Sequence, residues 1–242
     1  MSGSLSSRPA CRYWAVVPAA GGGTRMGLNR PKQYLPLRGR SLIEWSLQPL
    51  LDAGWIDGIV VVLAKSDSEF ASLALAGHPK IVVTTGGAAR ADSVLAGLAT
   101  VAARAAAFED VRVLVHDAAR PCLEASALER LREECGEPHG GLLALPCTDT
   151  LKRAKSNKVV ETVDRAFYWR AQTPQLFPLT LLSAALQECR ARDLEVTDEA
   201  SAMERAGYKP RLVRGHESNL KVTYPEDLPL AEFWLSRRER HA

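Results

Sequence analysis

Ile59-Val60-Val61-Val62-Leu63 is an unbroken apolar run of mostly β-branched residues. A strand with one face in water alternates apolar and polar residues. A continuous run is what a strand buried on both faces requires. Trp14-Ala15-Val16-Val17, Ile81-Val82-Val83-Thr84, Arg112-Val113-Leu114-Val115-His116 and Gly141 to Leu145, stopped by Pro146, read as further strands. Helical segments separate them. Ser41-Leu42-Ile43-Glu44 is a capping box that starts a helix, with Pro49 kinking or ending it before Gly54. Ser68 to Ala76, an Ala/Leu/Val stretch ending near Ala107, and Ser126 to Glu134 follow. Strand and helix in strict alternation predict an α/β fold: a Rossmann-like, mostly parallel sheet with helices on both faces.

The alternation breaks after Pro146. Leu151 to Ala154 and Val159 to Val163 flank the turn Lys155-Ser156-Asn157-Lys158, which predicts a polar β-hairpin. Such a hairpin has too little core to stand alone, so residues 148–171 are expected to protrude and to lie against another surface. Thr173-Pro174-Gln175 returns the chain to the sheet, and a helix from Leu179 to Arg192 follows. Thr197 is the expected N-cap of the next helix, which Gly207 closes. Arg211 to Val213 and Leu220 to Val222 read as short strands, and Pro225 as the first turn of the last helix. Residues 1–12 are expected to be a disordered lead-in and 13–242 a single domain.

Of 242 residues, 46% are hydrophobic, enough for one large core, and the net charge of +3 is too small to argue for nucleic acid. The five cysteines include no C-x-x-C pair, which suggests a reducing compartment and no structural zinc. Without a membrane-spanning run or a signal-peptide core, a cytoplasmic protein is expected. The tryptophans at 14, 45, 55, 169 and 234 are too dispersed for a stacking platform and read as core.

The first strand runs into P-A-A-G-G-G-T-R-M-G-L-N-R-P-K, ending at Lys32. Consecutive glycines let backbone N–H groups converge on an anion at the carboxyl end of a strand. A Walker A loop fails here because Leu28 follows Gly27 where lysine is required. A dinucleotide fingerprint fails because Met26 occupies its third glycine. G-x-G-T-R-M-G followed by P-K looks like the loop of nucleotidyltransferases that join a sugar or polyol phosphate to a nucleoside triphosphate. Arg25 and Lys32 are the cations for its α- and β-phosphates, whereas Arg30 reads as surface. Asp117, at the end of a buried strand, is a candidate Mg²⁺ ligand or a cap for the turn after it. Arg120 beside it and Lys221 at a late strand end could meet an acceptor phosphate. Gly86, Gly87 and Ser93 form a second glycine-rich turn where a base could pack. His116 reads as a structural hydrogen-bonder.

Together, P-A-A-G-G-G-T-R-M-G, P-K-Q-Y-L, G-G-A-A-R-A-D-S-V, V-H-D-A-A-R-P, T-V-D-R, Q-T-P-Q, T-D-E-A-S and N-L-K-V-T resemble the 2-C-methyl-D-erythritol 4-phosphate cytidylyltransferases of the non-mevalonate isoprenoid pathway. The likeness runs from Trp14 to Leu235. It implies that Arg25 and Lys32 stabilise the transition state and that Arg165 and Lys221 position the acceptor. It further implies that Ala19, Ala20, Gly21, Gly23, Gly87 and Ser93 hold CTP, and that Asp117, Arg120, Thr150, Thr173 and Thr197 line the acceptor site. Mg²⁺ and a homodimer with exchanged arms are implied as well. Ala88 departs from relatives that carry an acidic residue after the second Gly-Gly, which removes one side-chain contact to the nucleotide. Transfer to another polyol phosphate such as ribitol 5-phosphate is the nearest alternative. A non-catalytic nucleotide-binding module would be expected to lack Arg25 or Lys32. A fusion with a downstream cyclodiphosphate synthase is not expected, because nothing follows Ala242.

Overall fold

A computed structural model describes residues 11–21, 30–136 and 139–239. An inner strand of its sheet, β1 (Arg12–Pro18), pairs in parallel with β4 (Ile56–Leu63) on one side and β6 (Val111–Val115) on the other. Between β1 and β4 lie a small ribbon, β2 (Pro36–Leu37) with β3 (Arg40–Ser41), and helix α1 (Leu42–Asp52). After β4 come β5 (Ile81–Thr85) and α2 (Arg90–Arg104), and after β6 come α3 (Ala125–Glu134) and β7 (Gly141–Pro146). The polar excursion is a two-stranded hairpin, β8 (Leu151–Lys155) with β9 (Lys158–Val163), in a small sheet of its own. The chain returns through β10 (Trp169–Pro178), α4 (Leu179–Ala191), α5 (Glu199–Arg205), β11 (Arg211–Arg214) and α6 (Asp227–Glu239). Among the described residues the main sheet has seven strands in the order β11-β7-β10-β6-β1-β4-β5, and only β10 of these runs antiparallel to its neighbours. This is the mostly parallel, Rossmann-like arrangement that the alternation predicts.

Side chains of successive strand residues point to opposite faces, and both faces here are buried. Ala15, Val17, Ile59, Val61, Leu63 and Leu114 pack with α1 and α3 on one side. Val16, Val60, Val62, Val113 and Val115 pack with α2, α4 and α5 on the other. Each fully buried Val, Leu or Ile is worth about 1.5–3 kcal/mol. A third cluster seats α6 through Ala231 and Leu235 against Leu37, Leu42 and Ala119.

Some expectations need correction. Pro49 lies inside α1, which continues to Asp52. Ser68 to Ala76 is not one helix but two 3₁₀ turns, Phe70–Ser72 and Ala74–Gly77, separated by Leu73, whose extended backbone (φ −75°, ψ 143°) interrupts helical bonding. The N-cap of α5 is Asp198, whose side chain accepts the Ser201 N–H, and Thr197 is exposed one residue earlier. Leu220 to Val222 is not a strand: Leu220 N–H donates to Ser218 O and Val222 N–H to Ala119 O. Pro225 precedes α6 rather than opening it. Trp169 is exposed on the hairpin side of β10, and the other four tryptophans are half-buried at the rims of the clusters.

Candidate active site

The carboxyl ends of β1 and β6 open into a cleft of about 270 Å³ lined by Pro18 to Gly21, Lys32, Gln33, Gly87 to Arg90, Ser93, Asp117 to Ala119, Lys221 and Thr223. Strand ends of a parallel sheet leave backbone groups and loops free for a ligand, which is why such sheets bind there.

The exit of β1 is tied on both sides. Ala19 N–H donates to Val62 O at 2.8 Å, and the buried Gln33 amide donates to Ala19 O at 2.8 Å. Gln33 belongs to a 3₁₀ turn, Lys32–Tyr34, which is anchored by the Tyr34 hydroxyl donating to Asp67 at 2.6 Å. That turn presents Lys32, whose Nζ donates to Val222 O at 3.0 Å. On the other side of β4, a Cβ added to Gly86 would lie 2.6 Å from Ser93 Oγ and 2.8 Å from the Ala20 side chain. Glycine therefore lets the second loop close on the first. Beyond it α2 begins, with Asp92 accepting the Ala89 N–H, so the positive end of a fifteen-residue helix dipole faces the cleft.

Asp117 is the electrostatic centre. Its Oδ1 lies 3.3 Å from Arg90, and its Oδ2 lies 2.9 Å from Lys221 and 3.5 Å from Arg120. Burial alone would raise its pKa. Arg90, Lys221 and Arg120 overcome that and hold the carboxyl far below the ordinary carboxylate range. Arg90 also forks onto Glu199 at 2.7 and 3.2 Å. Burial raises the Glu199 pKa against the pull of Arg90. For Arg90 itself burial acts downward, but Glu199 and Asp117 outweigh it and keep the guanidinium charged. Arg120, whose pKa burial lowers, donates to Asn219 O at 2.7 Å.

Ala19, Ala20, Gly21, Lys32, Gly87, Ser93, Asp117 and Lys221 thus meet in one cleft. Arg120 and Thr173 sit behind it, buried, with Thr173 Oγ1 accepting the Asp117 N–H at 3.0 Å. Arg165, Thr150 and Thr197 are exposed and do not line the cleft of this chain; the Arg165 guanidinium donates to Thr148 O at the base of the hairpin. Gly23 and Arg25 lie outside the described residues. Sequence reasoning missed Gln33, Arg90, Glu199 and Asn219. All four lie inside the quoted motifs, but a buried polar role leaves no mark on periodicity. As a Mg²⁺ ligand Asp117 does not fit. A dication there would join three cations already around one carboxylate.

A glycine-walled cleft at a parallel strand edge, with two lysines and a helix N-terminus converging on it, defines a nucleotidyltransferase-type enzyme. The chain belongs to the 2-C-methyl-D-erythritol 4-phosphate cytidylyltransferase family, whose model matches residues 13–237. A protein of that name from Tolumonas auensis is 51% identical over 230 residues, covering 94% of this chain and 98% of the relative. A crystal structure of 4-diphosphocytidyl-2C-methyl-D-erythritol synthase superposes with a TM-score of 0.81 at 39% identity, covering 93% and 99% of the two chains. The Francisella tularensis cytidylyltransferase superposes with a TM-score of 0.79 at 35% identity, covering 92% and 99%.

Proposed function

We propose that this enzyme transfers the cytidylyl group of CTP to 2-C-methyl-D-erythritol 4-phosphate. The observation that carries the reading is the presence of Lys32 and Lys221 in one cleft beside the start of α2. The reaction brings two anions together. An acceptor phosphate oxygen attacks the α-phosphorus, the bond from that phosphorus to the bridging oxygen breaks, and pyrophosphate leaves in line. The protein's work is positioning and charge neutralisation. Lys32 serves the triphosphate, as does Arg25. Lys221, held by Asp117, serves the acceptor phosphate. Backbone at Ala19 to Gly21 and Gly87, with Ser93, holds the nucleotide. Mg²⁺ belongs to this reading as an ion carried in on phosphate oxygens and water, which suits its preference for few protein ligands.

The working unit in this reading is a homodimer. Each hairpin reaches the other subunit and brings Arg165 and Thr150 to its acceptor site. The support is that, among the described residues, the hairpin belongs to none of the core clusters, and that Val159, Val160 and Phe167 are exposed. A cytoplasmic setting agrees with five unpaired cysteines, and no helix among the described residues is long and apolar enough to cross a membrane.

The test is purified protein with Mg²⁺, each of the four nucleoside triphosphates, and either 2-C-methylerythritol 4-phosphate or ribitol 5-phosphate, scored for pyrophosphate. CTP with the methylerythritol phosphate should be used far better than any other pair. Equal kcat/KM for the two acceptors would overturn the acceptor assignment.

A further inference from the structure

His116 does not line the cleft, yet it is wholly buried directly behind it. Its backbone N–H donates to Val16 O at 3.0 Å, which continues the β1–β6 pairing one residue past the strand. Its ring turns inward, with Nδ1 3.0 Å from Thr173 Oγ1. The same hydroxyl oxygen accepts the Asp117 N–H at 3.0 Å. Thr173 O in turn accepts the Asn219 amide at 2.8 Å, two residues before Lys221. Thr173 therefore joins the segment carrying Asp117 to the segment carrying Lys221, and those two side chains meet at 2.9 Å.

A hydroxyl has one proton and two acceptor sites. With one site taken by Asp117 N–H, His116 fixes the rotation of the group. Whichever of the two groups donates, an apolar residue at 116 removes this buried contact and leaves the Thr173 hydroxyl to turn toward another partner. We propose that His116 is a positioning residue for the acceptor phosphate, acting through Thr173 to hold Asp117 and Lys221 in place. Burial lowers its pKa to about 4, against the pull of Asp117 and with the push of Arg120, so the contact joins neutral groups at ordinary pH. Thr173 then braces Asp117 from behind the cleft.

This inference rests on the proposed transfer reaction, so wild-type turnover is measured first; its absence would overturn that reading, not this one. His116→Leu and Thr173→Val should each raise the KM for the acceptor about tenfold, the worth of one buried hydrogen bond. The Kd for CTP, measured by calorimetry without acceptor, should stay within about twofold, since the nucleotide side of the cleft is untouched. His116→Asn, which keeps a polar atom near Nδ1, and Thr173→Ser, which keeps the hydroxyl, should recover most of each loss. The double variant His116→Leu/Thr173→Val should be no worse than Thr173→Val alone, because the histidine acts through the threonine. Melting curves establish that each variant folds. If His116→Leu does not fold, the His116→Asn and Thr173 series still decides. Additive losses, failure of the conservative pair to recover function, or an equal rise in the CTP Kd would overturn the proposal.

Discussion

Asp117 and Glu199 supply two carboxylates to three cations, Arg90, Arg120 and Lys221, and the group keeps one positive charge over. That excess suits a phosphate, and Asp117 keeps Lys221 from the mobility that a free ammonium group would have. Lys32 approaches from the other motif on a pinned turn, so its charge is preorganised. Lys32→Ala should lower kcat by ~10²–10³, the usual loss for one preorganised donor to developing charge. The CTP affinity should fall less, because the interaction strengthens as the α-phosphorus is attacked. Steady-state rates with calorimetric CTP binding check both. Lys32→Arg should restore little, since a planar fork does not reproduce a point charge. His116 makes a separate prediction about pH. Its folded pKa of about 4 lies below the unfolded value near 6.5, so between those values the unfolded chain holds a proton that the folded chain does not. Its contribution is complete above pH ~6.5 and is lost as the pH falls toward ~4, at a cost of about 3 kcal/mol. Urea titrations across that window should show a shallower decline for His116→Asn than for wild type.

Among the elements, α2 shows most directly how packing overrules local preference. Gly97 is an interior helical residue, where alanine is normally about 1 kcal/mol better. Yet a Cβ at Gly97 would lie 2.4 Å from Val16 Cγ1, in the strand that carries the first glycine loop. Gly97→Ala should therefore destabilise, by roughly 1–3 kcal/mol, the cost of overpacking; a rise in the denaturation midpoint would refute this. The elements visible in the sequence were those built on apolar runs or local caps. β1, β4, β6 and β7 each contain an apolar run, and the Ser41 box announces α1. β10 was invisible because Gln172-Thr173-Pro174-Gln175 interrupts it with polar residues. Those residues face inward to hold other parts: Gln175 donates to Asp198 at 2.9 Å and accepts the Ala200 N–H at 2.8 Å, which seats α5 and with it Glu199. The converse error, Leu220 to Val222, had the alternation of a strand, but its backbone bonds go to a turn and to Ala119. The same division holds in the site. The glycines and Lys32 sit in a motif with chemical spacing, whereas Lys221, which alone reads as surface, is assigned only by the resemblance. Arg90 and Glu199 meet only through tertiary structure, 109 residues apart.

At the scale of the whole molecule the hairpin is the part that one chain cannot explain. Val159 is 64% and Phe167 81% exposed, and the ion pair between Arg153 and Glu161 crosses a ribbon with no layer beneath it. Exposed two-stranded ribbons are marginal in water, which supports the proposal that another copy of the chain covers this one. A two-fold interface is self-complementary, so each arm would reach the other subunit's site. Arg165 would then serve a cleft whose Lys32 belongs to the partner. The prediction mixes two inactive variants, Lys32→Ala and Arg165→Ala, by unfolding and refolding them together in equal amounts. Random pairing makes about half of the dimers mixed. In each mixed dimer one site collects both lesions and the other collects neither, so about a quarter of all sites should be intact. Specific activity should recover to about a quarter of that of wild type refolded alone, which is the necessary control. If Arg165 serves its own subunit's cleft, every site keeps one lesion and activity stays at the level of the parents. Sedimentation of the refolded mixture establishes whether dimers have formed, so a failed reassembly is separated from an arm that acts at home.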